Sequence, residues 1–393
     1  MNNYIIIKDK KYFIDNFNHP GGNIILYSNK TDATDLFNSF HYRSKKTLQV
    51  LKSLPFEKIN TENNEMLEDF ERWRKDLIDR GMFTTDNYYI NLYLVNILLL
   101  FFLGIIFIGN NIFISLLFFS LCYGQCGLMN HEAGHNSLTG NIKKDRLIQN
   151  MLMGLGLSLY GDSWNEIHNR HHAATQKIKF DLDTDSVVAY FKGAVEKNKF
   201  TAHNKYFLKY QKYIYFSIGT FIVLLYLQIF DHFGLMIRKK DYRQIIISIT
   251  SLIVKILLFH YIGDYSIIQS IILYLINFWL VSIYLFSHFL LSHSYTPIIN
   301  EDENKNWVEN ALEHTIDFST DNLFVCWITG YLNHQTVHHL FLSLPYHNLN
   351  KVSKELIKFC NKWNLKYQRK TYYEVFKLML GNLDNVGNYY YNL

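Results

Sequence analysis

From Tyr88 onward the chain is divided into apolar runs long enough to cross a lipid bilayer, and this limits its fold more than any other feature. YYINLYLVNILLLFFLGIIFIG, starting at Tyr88, and IFISLLFFSLCYGQCGLMN, starting at Ile112, match the length of about 20 residues that a helix needs to span the hydrocarbon. Only Asn110 and Asn111 separate them, so a helical hairpin is predicted. Three more apolar stretches follow, at 213–230, 245–262 and 267–291. Of the 393 residues, 17% are aromatic, 49% hydrophobic and 19% charged, a composition that leans toward a membrane protein. A mean hydropathy near zero requires substantial parts outside the bilayer. The net charge of +5 is spread without a long Lys/Arg block, which argues against a nucleic-acid partner and for a basic membrane-facing surface.

Residues 1–60 read as a small soluble unit, because YIIIKDKKYFI alternates as a hairpin does and KKTLQVLKSL has helical spacing. Residues 61–87 read as a linker ending in a short amphipathic helix, and 88–393 as the membrane part. The opening MNNYIIIKDKKYFID lacks the pattern of a secretory signal, so targeting falls to the internal apolar segments. Cys122, Cys126, Cys326 and Cys360 form no C-x-x-C pair and read as reduced structural thiols, consistent with a cytosolic face.

Histidine is concentrated in three runs beside the apolar segments: HEAGH at 131–135, HNRHH at 168–172 and HQTVHH at 334–339. HEAGH fits two signatures. As H-E-x-x-H it is a zinc-protease motif, in which His131 and His135 bind zinc and Glu132 is the general base. As H-x-x-x-H it is a pair of imidazoles one helical turn apart, open to another metal. On a helix His131 and His135 share a face, and His168, His171 and His172 are expected to aim at one point. His338 and His339 add a third set. A catalytic zinc takes three protein ligands and a water, which would leave two runs unexplained. Seven or more histidines suit two irons, and Glu132 then supports a ligand from behind.

If these runs are to meet, they must lie on one face of the membrane, which requires an even number of crossings between them. One of the three later apolar stretches therefore does not span. Arg238, Lys239, Lys240 and Arg243 follow the first of them, whereas GDYS and the GNN turn carry no basic residue. Positive charge favours the cytosolic side, so 213–230 is expected to lie along the interface, leaving four spans and both termini cytosolic. Lys255, within the 245–262 span, could snorkel only partly.

With these residues in place, the sequence resembles the membrane fatty-acid desaturases with three histidine boxes. HNRHHAATQKIKFDLDTD is similar to the second box and its acidic D-x-D stretch, here Asp181 and Asp183. GYLNHQTVHHLFLSLPYHN resembles the third box of the front-end branch, in which glutamine, here Gln335, replaces the first histidine of the box. LSHS, containing His293, resembles a short motif at the end of the fourth span. Two features depart from the pattern: Leu342 where proline is usual, and His334 where an aromatic is usual.

The resemblance implies an all-α integral membrane fold of four transmembrane helices with a cytosolic helical cap holding a di-iron site. It implies iron ligation by His131, His135, His168, His171, His172, His338 and His339, with His293 and Gln335 as further candidates. His288, one turn earlier on the same span as His293, reads as structural, and His334 as a neighbour that could supply an alternative ligand.

NHPGG at 18–22, followed by DATDLFNSFH ending at His41, resembles the haem-binding core of cytochrome b5, a small α+β unit. The resemblance makes His19 and His41 the two axial ligands of haem b, with Gly21 and Gly22 turning the backbone beside it. Against that resemblance this copy looks shortened before HPGG. Taken together, the expectation is an oxygen-dependent front-end acyl desaturase of delta-5 or delta-6 type, in the endoplasmic reticulum membrane. Its electrons would pass from cytochrome b5 reductase or a similar flavin reductase through the haem to two non-haem irons, with O2 as co-substrate and an acyl lipid or acyl-CoA as substrate. Rivals are a sphingolipid long-chain-base desaturase or an acyl hydroxylase on the same centre, a membrane zinc metalloprotease, and a non-catalytic haem carrier.

Overall fold

The computed structural model describes residues 3–60, 63–181, 184, 188–194, 202–300, 303 and 305–393. The N-terminal unit begins with the expected hairpin, β1 (Tyr4–Ile7) and β2 (Lys10–Phe13), paired antiparallel with Tyr4 opposite Phe13. Alternation turns Ile5, Ile7 and Tyr12 inward onto Ile14 and Ala33. Helices α1 (Thr34–His41) and α2 (Lys45–Ser53) follow, and β3 (Phe56–Lys58) returns to pair with β2.

What the sequence suggested as a linker is largely a packed helix, α3 (Glu65–Asp79), capped by Asn64. Its Met66, Phe70 and Leu77 are buried. The apolar stripe therefore has a protein partner as well as a boundary function.

The hairpin forms as predicted, from α4 (Asn87–Phe107) and α5 (Ile112–Gly134). Asp86 caps the first through the amide of Tyr88, and Asn111 caps the second through the amide of Ile114, so the polar pair between the runs is also a helix start signal. On α4 the apolar residues divide by helical phase. Ile90, Ile97, Leu100 and Gly104 face α5, whereas Leu92, Val95, Leu99, Phe102 and Ile106 face outward, where lipid would be.

Helix α6 (Ile142–Met151) runs into a wide π-helical turn at 152–157, ending at Ser158 in the left-handed region with φ 56°. Helix α7 (Gly161–Ala173) carries the second histidine run, and α8 (Ala202–Lys209) precedes the next apolar stretch.

That stretch is a continuous helix, α9 (Gln211–Arg238), longer than the 213–230 expected, and it is followed by α10 (Tyr242–Gly263) and α11 (Ile267–Leu290). By length and composition α4, α5, α9, α10 and α11 are all able to cross a membrane. The ends of α9 distinguish it. Near its start the Tyr215 hydroxyl donates to the Phe286 carbonyl, close to the last turn of α11, at 3.0 Å. Just past its end the Lys239 ammonium donates to Glu166 on the histidine-bearing α7 at 2.9 Å. Its ends thus bond to α11 and to α7, and the helix contains π-helical turns at 215–219 and 227–233. Lys255 on α10 does not snorkel outward; its ammonium donates to the Gly156 carbonyl at 2.7 Å and lies 4.5 Å from the centre of the Tyr123 ring.

Beyond the spans come α12 (Trp307–His314), β4 (Asp317–Phe318), α13 (Leu323–Ile328), α14 (Gln335–Leu340) and α15 (Tyr346–Lys362). Strand β5 (Arg369–Lys370) pairs parallel with β4, and α16 (Tyr372–Tyr391) closes the fold with a Thr371–Glu374 capping box. Helices α3, α12, α14 and α15 share one core, in which Phe70, Val308, Val337, Phe341 and Leu356 are buried. Helix α13 is anchored among the spans: Gln125 donates to the Trp327 carbonyl at 3.0 Å, Tyr284 to the Ile328 carbonyl at 2.7 Å, and the Trp327 indole to Asn96 at 3.3 Å.

Candidate metal centre

The three histidine runs converge at the end of α5, the face of α7 and the short α14, but they divide into two groups. His131, His135, His168, His172 and His338 each offer a ring nitrogen, all within 4.8 Å of one another. His171, His293 and His339 form a second group by the same measure. The expectation that HNRHH aims at one point is therefore corrected. At about 100° per residue, His168 and His172 differ by about 40° around α7, whereas His171 lies about 100° from His172. Neighbouring residues of one run thus serve different groups, as His338 and His339 also do.

In the first group the ring nitrogens of the imidazoles face one another. His172 Nε2 is 2.9 Å from His168 Nε2 and 3.2 Å from His338 Nε2. His131 Nε2 and His135 Nε2 are buried without a hydrogen-bond partner. So many desolvated lone pairs at one point are costly unless a cation accepts them. Burial, reinforced by the neighbouring imidazoles, holds His135, His168, His172 and His338 well below the usual histidine range, so each is neutral and able to donate its lone pair.

Each ring of the second group is oriented from behind. His171 Nδ1 donates to the Asp181 carboxylate at 2.9 Å, and His293 Nδ1 donates to the His314 carbonyl at 2.9 Å. His339 Nδ1 lies 3.3 Å from the Thr175 hydroxyl. Binding Nδ1 in this way fixes the tautomer that presents Nε2 to a metal. Burial, followed by the charge of neighbouring His171, lowers His293 to about 3. Gln335 supplies the fourth side: its amide nitrogen is 2.8 Å from His293 Nε2, and its oxygen has no partner. A half-turn of the amide would bring the oxygen to the same point, so the donor set becomes three imidazoles and one carbonyl oxygen. Asp183, the second acid of the D-x-D stretch, lies outside the described residues.

Glu132 is directed away from both groups. Its carboxylate accepts from the Tyr346 amide at 3.0 Å, a partner outside both histidine groups, rather than from a histidine ring as the supporting role read from HEAGH would have it. His334 is likewise turned away, with Nδ1 at 2.8 Å from the Ser353 hydroxyl and Nε2 at 3.7 Å from the Cys326 sulfur. It is no alternative ligand. His288 has partners for both ring nitrogens outside the two groups: Nδ1 donates to the Tyr284 carbonyl, and Nε2 meets the Tyr372 hydroxyl at 3.2 Å. Thr175 and His314 were missed in the sequence. His314 acts through its backbone carbonyl, which no residue pattern reveals.

In the N-terminal unit His19 and His41 face each other, with ring centres 6.2 Å apart. The Gly21 amide donates to His19 Nδ1 at 3.1 Å, which puts that ring's proton on Nε2, whereas His41 Nδ1 donates to the Phe37 carbonyl at 3.1 Å and leaves its Nε2 lone pair free; a ligand shared by both rings requires the His19 proton to move to Nδ1. Two imidazoles on opposite sides of one metal have centres about 6 Å apart, given metal–nitrogen bonds of about 2 Å. Gly22 has φ 69° in the turn between them, a left-handed backbone suited to glycine.

The fold and the two histidine groups define a helical integral membrane protein whose clustered imidazoles fit a metal. The fatty acid desaturase family model matches residues 109–371, and the chain belongs to that family. It is an oxidoreductase of lipid metabolism. It is 33% identical to the acyl-lipid (8-3)-desaturase of Rebecca salina over 98% of this chain and 91% of that protein. It is 29% identical to the acyl-lipid (8-3)-desaturase of a Thraustochytrium species, over 98% of this chain and 92% of the relative. With a fatty acid desaturase 2-like protein of Mus musculus it shares 25% identity, over 99% and 83%. No solved structure matches the chain.

Proposed function

We propose that the chain is a front-end acyl desaturase that introduces a cis double bond of delta-5 or delta-6 type into a polyunsaturated acyl chain. The observation that carries this reading is the pair of imidazole groups, one of five histidines and one of three completed by Gln335. Imidazole-rich, oxygen-completed donor sets suit iron. His131, His135, His168, His172 and His338 hold one iron; His171, His293, His339 and Gln335 hold the other. A single catalytic zinc would leave one group without purpose. The names of the Rebecca salina and Thraustochytrium relatives favour an acyl-lipid substrate over acyl-CoA.

An iron pair bound there supplies oxygen activation: dioxygen, two electrons, two protons and two substrate hydrogens leave as two waters and an alkene. The protein's residues provide the setting. Asp181, Thr175 and the His314 carbonyl hold the second group's rings in one orientation. The apolar faces of α5 and α11 supply a dry wall beside the centre.

Residues 1–60 act as a cytochrome b5-like unit, with haem b between His19 and His41, reduced by a flavin reductase. Residues 61–87 join it to the desaturase part at 88–393. The enzyme sits in the endoplasmic reticulum membrane with its centre and both termini cytosolic.

The test is expression in yeast fed defined polyunsaturated acids, with double-bond position read by mass spectrometry. A new cis bond on the carboxyl side of an existing one is expected, and it should vanish in His171→Ala and His338→Ala. Hydroxylated products, or a change only in sphingolipid bases, would overturn the assignment.

A further inference from the structure

The N-terminal unit does not hang from the chain; it is docked beside the third histidine run. The Ser39 hydroxyl, buried two residues before His41, donates to the Leu340 carbonyl at 3.1 Å, and Leu340 follows His339 directly. Arg43, two residues after His41, donates through one nitrogen to the Phe83 carbonyl at 2.6 Å and to the Ser343 carbonyl at 3.2 Å. Ser343 in turn donates to the His135 carbonyl at 3.2 Å. Tyr42 packs on Phe83 with ring centres 4.8 Å apart. The nearby negative charges of Asp145 and Glu132 oppose the cost of burying the Arg43 guanidinium.

We propose that Arg43 and Ser39 are positioning residues that lock the His19–His41 unit against the metal centre, and that this docked pose is the route of electrons between them. The route runs from His41 through Ser39 to Leu340 and His339, and through Arg43 to Ser343 and His135. It rests on the reading that haem binds between His19 and His41. Each transfer oxidises one ferrous haem to ferric and reduces the metal centre by one electron. Two transfers accompany each double bond, and the flavin reductase restores the haem each time. Because the contacts are within one chain, transfer needs no diffusional encounter.

The experiment uses the full-length protein in lipid nanodiscs. In haem-free, metal-free protein, hydrogen exchange of peptides covering 34–43 and 340–346 is compared between wild type and Arg43→Ala. Exchange is expected to accelerate at both segments in the variant, and Arg43→Lys to restore part of the protection. In haem- and iron-loaded protein reduced beforehand, haem reoxidation after mixing with oxygen and substrate is followed by its absorbance. A fall of tenfold or more is expected in Arg43→Ala, with haem spectrum, haem midpoint potential and iron content unchanged. Should that variant fail to fold, Ser39→Ala is the milder deletion and carries the same measurements. Wild-type exchange and wild-type reoxidation in the variants would overturn the docked route while leaving the desaturase assignment standing. A wild-type chain that takes up no haem would overturn the haem reading and the route together.

Discussion

Asp181 is where the division of the histidines into two groups meets its sharpest test. Its buried carboxylate accepts from His171 Nδ1 at 2.9 Å and from the Gln176 amide at 2.7 Å, so it sets both the tautomer and the direction of one ring of the three-histidine group. The five-histidine group is held together instead by contacts among its own rings, with His172 Nε2 at 2.9 Å from His168 Nε2 and 3.2 Å from His338 Nε2. Loss of an orienting carboxylate behind a metal-bound imidazole typically costs about 10–100-fold in metal affinity, equivalent to about 1.4–2.8 kcal/mol. Asp181→Ala is therefore expected to weaken one iron by that factor and leave the other near its wild-type affinity. Titration with a coloured chelator, read beside iron per chain by elemental analysis, should change from two tightly held irons to one. Asp181→Asn keeps an acceptor near the ring and should lose less. The Gln176 amide is orphaned as well, at about 1–3 kcal/mol, so thermal unfolding of the metal-free variant separates a folding defect from a binding defect. Retention of both irons at wild-type affinity, or loss of both together, would refute the two-group arrangement.

Lys255→Met leaves the Gly156 carbonyl without its ammonium partner and should destabilise the protein by about 1–3 kcal/mol, read as a lowered unfolding temperature in detergent. Gly124→Ala would place a Cβ 1.9 Å from the Tyr284 ring, so Tyr284 must shift from its bond to the Ile328 carbonyl; a loss of about 1–3 kcal/mol is expected by the same measurement. The metal-free protein should lose stability in acid. His168, His172, His338 and His339 are held well below the histidine value by burial, so as pH falls below about 6.5 the unfolded chain binds protons that the fold resists. Stability should be full above that pH and decline below it, in unfolding curves taken from pH 8 to 5.

Much of this was legible because its physics is local. The hairpin of α4 and α5 follows from two apolar runs and one polar pair, and Asn111 marks the break in sequence as it caps the helix in structure. The meeting of the histidine runs was legible as a condition on crossings; α9, whose two ends bond to Phe286 near the end of α11 and to Glu166 on α7, is a longer helix than the apolar stretch suggested and is itself long enough to cross. The division of HNRHH was not legible, because spacing tells which residues share a face but not that two targets lie on either side of it. Nor were the positions of Glu132 and His334. Both are set by partners more than 15 residues away, the Tyr346 amide at 3.0 Å and the Ser353 hydroxyl at 2.8 Å. The packed role of α3 was hidden for the same reason: its stripe looks alike whether it meets lipid headgroups or Phe341, which stacks on Phe70 at 5.3 Å.

The mooring of α13 has a mechanical consequence. Its last carbonyls are held by side chains of α5 and α11, and Leu323 and Phe324 point outward with 76% and 65% of their surface exposed. Seven residues past Ile328 the chain reaches Gln335, then His338 and His339. A tilt of α5 against α11, of the kind imposed by a thinner or thicker bilayer, would pull on those carbonyls and pass along this short tether to both metal groups at once.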